Sequence, residues 1–179
     1  LVRHNFQGKI YLEKPGFSSL AESYKLEQLQ KEYELDIYIG YHYPFTQPII
    51  ELAEIVNRED TGQILSIEIL MAKGISYQDW FDSDWRSQDK LAICHTGLCH
   101  IMSIYLYLVR NSSPEDLNCY AYQNIANGFY DTSVICNNNK RLPSFKGMYS
   151  WGAPFVECKI DLLTSNAIIR LDNEVLAVK

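Results

Sequence analysis

Lys14 stands directly after a short apolar stretch, Ile10-Tyr11-Leu12, with Glu13 before it and Pro15 behind it. A proline there stops strand pairing and restricts the preceding residue's backbone, so the lysine is a positioned hydrogen-bond donor. The plainer alternative is a surface lysine in a turn. His100 is the second candidate, within 92–110, where Leu98, Ile101, Met102, Tyr105 and Val109 recur at helical spacing. Imidazole titrates near neutrality and suits proton transfer, while a histidine packed against a sheet is the plainer reading. Cys94-His95 and Cys99-His100 suggest a third chemistry, because His95 and Cys99 fall one helical turn apart and could begin a zinc site. Their spacing matches no closed ligand set and interior packing explains the cysteines better, so no metal is expected. Trp85-Arg86 could line a pocket by stacking and hydrogen bonding.

The elements that must hold these groups follow from period and punctuation. Ser19 to Glu22 has the capping-box form, and Leu20, Leu26, Leu29 and Tyr33 extend it into an amphipathic helix over 19–34. Asp36 to Tyr41 is a second apolar strand that ends in glycine and polar aromatics. Strand, helix, strand with polar groups at both strand ends reads as one crossover unit of a parallel sheet, whose carboxyl edge is where such sheets bind ligands. A helix over 48–58 buries Ile49, Leu52, Ala53 and Val56 and closes at Thr61-Gly62. Leu65, Ile67, Ile69 and Met71 alternate as a half-buried strand, and 73–90 reads as a long polar and aromatic loop. Strands follow over 117–125, 129–136, 154–164, 167–171 and 174–178, with Asp172-Asn173 as a hairpin turn. The fold class is α/β (α+β). A fragment of a Rossmann-like crossover unit leads into an open, mainly antiparallel sheet with helices on one face. The other face is expected to be polar and aromatic.

Composition removes some classes of function. With 22 acidic against 16 basic residues the chain is modestly acidic, which argues against a nucleic-acid footprint. There is no apolar run of membrane-spanning length and no signal-peptide pattern at the start, so a cytoplasmic protein without membrane partners is expected. Five scattered cysteines then read as reduced thiols.

Gly8-Lys9 and Glu13-Lys14-Pro15, a helix, and a strand ending Gly40-Tyr41 together resemble the Gfo/Idh/MocA-type oxidoreductases. The resemblance continues through Pro48-Ile49-Ile50-Glu51-Leu52, Thr61-Gly62-Gln63-Ile64, Trp85-Arg86 and the helix of His100, to about Leu108 and loosely beyond. It implies hydride transfer between NAD or NADP and a hydroxyl carbon of a sugar-like or cyclic polyol substrate. Lys14 would orient the hydroxyl and His100 would move its proton. Glu13, Lys14 and Pro15 would lie against the cofactor, with the Lys14–Pro15 bond often cis in such proteins. Trp85, Arg86 and Thr96 would contact substrate. Residues 1–43 would be the last strand–helix–strand of a dinucleotide-binding domain, and 44–179 a substrate and oligomerisation domain that forms homo-oligomers through its sheet face. No Gly-x-Gly-x-x-Gly occurs in the sequence, so the cofactor's phosphate site is expected before Leu1, and this chain alone is expected to be inactive. The chain departs from the family at Thr96, where the pattern has an aspartate, and lacks the basic pair before Phe45. A non-catalytic homologue, serving binding or assembly, is the alternative.

Overall fold

The computed structural model describes residues 8–73, 92–110, 117–123, 130–136, 143–173 and 175–179. The chain divides into two units, Leu1–His42 and Tyr43–Lys179.

In the first unit, β1 (Lys9–Leu12) and β2 (Asp36–Ile39) pair in parallel, Ile10 opposite Ile37 and Leu12 opposite Ile39. Helix α1 (Leu20–Glu32) is the crossover between them. Its start was legible in the sequence. The Ser19 hydroxyl accepts from the Glu22 amide at 3.2 Å. The reciprocal half differs from the usual box, since the Glu22 carboxylate accepts from the Ser18 amide and hydroxyl, each at 2.7 Å. Those bonds hold the Glu22 carboxyl below its ordinary range. The expected apolar stripe is shallow: Leu26 and Leu29 are half-buried, while Leu20 and Tyr33 are exposed.

The second unit begins with a 3₁₀ turn, Tyr43–Phe45, and α2 (Gln47–Val56), where Pro48 occupies the first turn that tolerates a missing amide. Its Ile49, Leu52, Ala53 and Val56 are all buried, as their spacing predicts. A seven-stranded sheet follows: β3 (Ile64–Lys73), β4 (Leu117–Gln123), β5 (Tyr130–Cys136), β6 (Ser144–Ser150), β7 (Val156–Thr164), β8 (Ile168–Asp172) and β9 (Val175–Val178), in the order β4-β5-β6-β3-β7-β8-β9. Its pairings are antiparallel except β3 with β6, which run parallel. Strand β6 is absent from the sequence reading. Leu65 is exposed, against its alternation, because a register irregularity between Ile64 and Ser66 takes it off the inner face.

Residues 92–98 enter α3 (Cys99–Val109) through a π-helical turn, Cys94–Leu98, where the Cys99 amide reaches back to the Cys94 carbonyl. The expected regular helix is corrected there. With the phase shifted, His100, Ile104 and Leu108 are buried beside Leu98, Ile101 and Tyr105, while Met102 and Val109 are only half-buried. Helices α2 and α3 form one core with Ile67, Ile69, Met71, Phe145, Tyr149, Ile160 and Leu162 of the sheet's inner face. The outer face carries Glu68, Leu70, Lys146, Met148, Lys159 and Asp161, so its centre is charged and aliphatic rather than polar and aromatic.

A small polar staple ties the 3₁₀ turn that follows α2, Glu59–Thr61, to the β7–β8 turn. The Thr164 hydroxyl donates to the Thr61 carbonyl at 2.6 Å and accepts from the Ala167 amide at 2.9 Å. Both threonines are buried. Thr164→Val keeps the shape and strands these backbone groups, so a loss of about 1–3 kcal/mol is expected in urea unfolding. An unchanged midpoint would mean that water replaces the hydroxyl.

Candidate functional site

In the first unit the site residues share one tight turn. The Gly16 amide donates to the Glu13 carbonyl at 2.9 Å, and the Lys14–Pro15 peptide is cis, which is the arrangement of a type VI turn. Gly16 has φ +79°, and its Cα lies against Ile39; a Cβ there would stand 2.8 Å from the Ile39 Cδ1. Only glycine satisfies both demands. The Tyr41 hydroxyl donates to the Pro15 carbonyl at 3.1 Å, and the Gly40 amide donates to the Leu12 carbonyl at 2.8 Å. The turn is therefore fastened to the carboxyl ends of both strands. Glu13 is exposed and Lys14 half-buried in it.

In the second unit His100 is buried on α3 at 5% exposure. The Tyr43 ring meets it edge-on, with centroids 4.6 Å apart and planes at 60°. Lys73, the last residue of β3, donates from Nζ to the Tyr43 hydroxyl at 2.8 Å and sits 5.5 Å from that ring's centroid. Burial pushes the Cys158 thiol up from its ordinary pKa, and the Lys73 ammonium pulls partly against that. Tyr43, Thr46, Ile49, Cys158, Leu171 and Asn173 line an open recess of about 250 Å³.

Thr96 lies on the π-helical turn and donates its hydroxyl proton to the Ala92 carbonyl at 2.7 Å. The Cys99 thiol donates to the His95 carbonyl at 3.0 Å. Trp85 and Arg86 lie outside the described residues. Tyr43 and Lys73 were not picked out by the sequence reading. The signal for Lys73 was present: a charge ends an apolar strand, as at Lys14.

No family model matches the chain, and no curated protein matches it. Solved structures do. Myo-inositol 2-dehydrogenase from Lactobacillus plantarum matches with a TM-score of 0.76 at 14% identity, over 91% of this chain and 50% of its own. UDP-N-acetylglucosamine 3-dehydrogenase from Acidithiobacillus ferrooxidans matches at 0.72 and 16% identity, over 95% and 52%. A Gfo/Idh/MocA family oxidoreductase from Vibrio cholerae matches at 0.63 and 13% identity, over 96% and 53%. The chain thus has an α/β fold shared with dehydrogenases and spans about half the length of the structures it matches. The fold is the one also seen in that Gfo/Idh/MocA family oxidoreductase.

Proposed function

We propose that the full-length protein is an NAD(P)-dependent oxidoreductase acting on a hydroxyl carbon of a sugar-like or cyclic polyol substrate. The observation that carries this reading is the turn that holds Lys14 at the carboxyl ends of two parallel strands, fastened by the Tyr41 hydroxyl and the Gly40 amide. A lysine whose backbone is fixed by Pro15, Gly16 and Tyr41 has only its side chain left to order when a ligand arrives, which favours electrostatic catalysis. Glu13, Lys14 and Pro15 fit the nicotinamide end of the cofactor, which supplies hydride transfer when bound. The Lys14 ammonium would donate to the substrate hydroxyl and steady the developing alkoxide. His100 would take the hydroxyl proton, and Trp85, Arg86 and Thr96 would bind substrate. In this reading residues 1–43 close a dinucleotide-binding domain and 44–179 form the substrate domain. The outer sheet face, where Lys146, Glu68, Asp161 and Arg170 line up across four strands, would pair with a second copy. The setting would be the cytoplasm.

The test is turnover of myo-inositol and of UDP-N-acetylglucosamine by the full-length protein with NAD and NADP. Lys14→Met should lower kcat/KM roughly 10–100-fold, the worth of a hydrogen bond from a charged donor. Thr96 favours a second reading, a non-catalytic homologue, because its single proton is held by Ala92 and it brings no carboxylate to His100. A well-folded full-length protein with no turnover of either substrate would support that reading instead.

A further inference from the structure

A histidine's second side-chain torsion is broad and roughly two-fold, so a helix alone does not decide which ring nitrogen points where. Tyr43 contacts the His100 ring directly, and Tyr43 is fixed at both ends. Its carbonyl accepts from the Thr46 amide at 3.1 Å and from the Thr46 hydroxyl at 2.8 Å. Its phenol accepts from Lys73 at 2.8 Å. Lys73 in turn is anchored in β3, where it pairs with Val156 of β7.

We propose that Tyr43, pinned by Lys73, is a positioning residue for His100: it refers the imidazole's orientation to the central strand of the sheet. The role rests on reading His100 as the proton-transfer group. A sheet and a helix are separate bodies joined by packing, and a tyrosine held by a lysine on one and touching the histidine on the other restricts the ring from that side. Misplacement of a reacting group by about 1 Å costs on the order of 10²-fold in rate, so this contact should be read in kcat more than in KM.

The experiment uses the full-length protein with myo-inositol, UDP-N-acetylglucosamine, NAD and NADP as probes, and records the His100 ring ¹H and ¹⁵N signals alongside turnover. Tyr43→Leu should lower kcat roughly 10–100-fold with little change in KM, and should shift or multiply the ring signals. Tyr43→Phe keeps the ring and should recover most of that loss. Lys73→Met cuts the same hydrogen bond as Tyr43→Phe, so the double variant should lose less than the sum of the two. Unaltered His100 signals in Tyr43→Leu would overturn the proposal whether or not any probe is turned over. If Tyr43→Leu does not fold, additive effects of Tyr43→Phe and Lys73→Met on those signals would overturn it as well. His100→Gln separates the two readings. Retained turnover there removes His100 as the proton-transfer group, while the ring signals still decide whether Tyr43 positions it.

Discussion

Tyr105→Ala should destabilise the second unit by about 3–5 kcal/mol, the range for truncating a buried aromatic. Tyr105 is fully buried on α3 and stacks on Phe145 of β6, with ring centroids 4.1 Å apart and planes at 25°. It therefore joins helix to sheet at the centre of the core, and the cavity left behind is enclosed by a strand and a helix that cannot both close on it. Part of the loss belongs to the ring pair itself. Phe145→Ala combined with Tyr105→Ala should show a coupling of about 0.5–1.5 kcal/mol in a double-mutant cycle. Urea unfolding should give an earlier midpoint with the same slope. A loss below about 1 kcal/mol would mean that α3 relaxes onto the sheet, and that the pair does not fix their spacing.

The core that Tyr105 joins was readable in part, and the reasons differ by element. Helix α2 was legible because a proline opens it and its four buried residues sit on one face. Strands β3 and β7 were legible because Ile67 and Ile69, and Ile160 and Leu162, alternate against charged neighbours. Strand β6 also alternates, with Phe145, Gly147 and Tyr149 inward. Its inward glycine weakens the pattern, its parallel partner β3 lies far back in sequence, and its antiparallel partner β5 is not joined to it by a two-residue turn. The π-helical turn left no mark because the stretch is apolar on most sides, and such a helix does not announce its own phase.

The site divides the same way. The turn around Lys14 was legible because proline and glycine fix backbone locally, and Tyr41, which closes it, lies just past the very next strand. The trio of Tyr43, Lys73 and His100 was not, because its members come from a 3₁₀ turn, a strand end and a helix, and only the folded sheet brings them together. Local sequence carries backbone constraints well. It carries a contact between distant elements only through the charge or aromatic that each side happens to show.

Gly97 tests whether the π-helical turn is set by packing. A Cβ at Gly97 would overlap the Cγ, Cδ1 and Cε1 atoms of Tyr149, a residue of β6 only 3% exposed. Rotating a tyrosine ring about its own axis does not move Cγ, so relief needs a new rotamer for a buried ring or a shift of the helix or the strand. Gly97→Ala should therefore be destabilising by about 1–3 kcal/mol, although alanine's helix propensity alone favours it by about 1 kcal/mol. Gly97→Val, which adds bulk and loses that propensity gain, should cost about 3 kcal/mol. Gly40 is the control. A Cβ there would overlap the hydroxyl end of Tyr11, but Tyr11 is 64% exposed and its ring can swing into solvent. Gly40→Ala should consequently cost less than about 1 kcal/mol. Because His100 follows Gly97 within the same helix, a displaced turn should also move the His100 ring signals in Gly97→Ala and leave them unchanged in Gly40→Ala. A stabilised Gly97→Ala variant would show that Tyr149 yields to the helix, and the phase that buries His100 would then need another cause than the close approach of Gly97 to that ring.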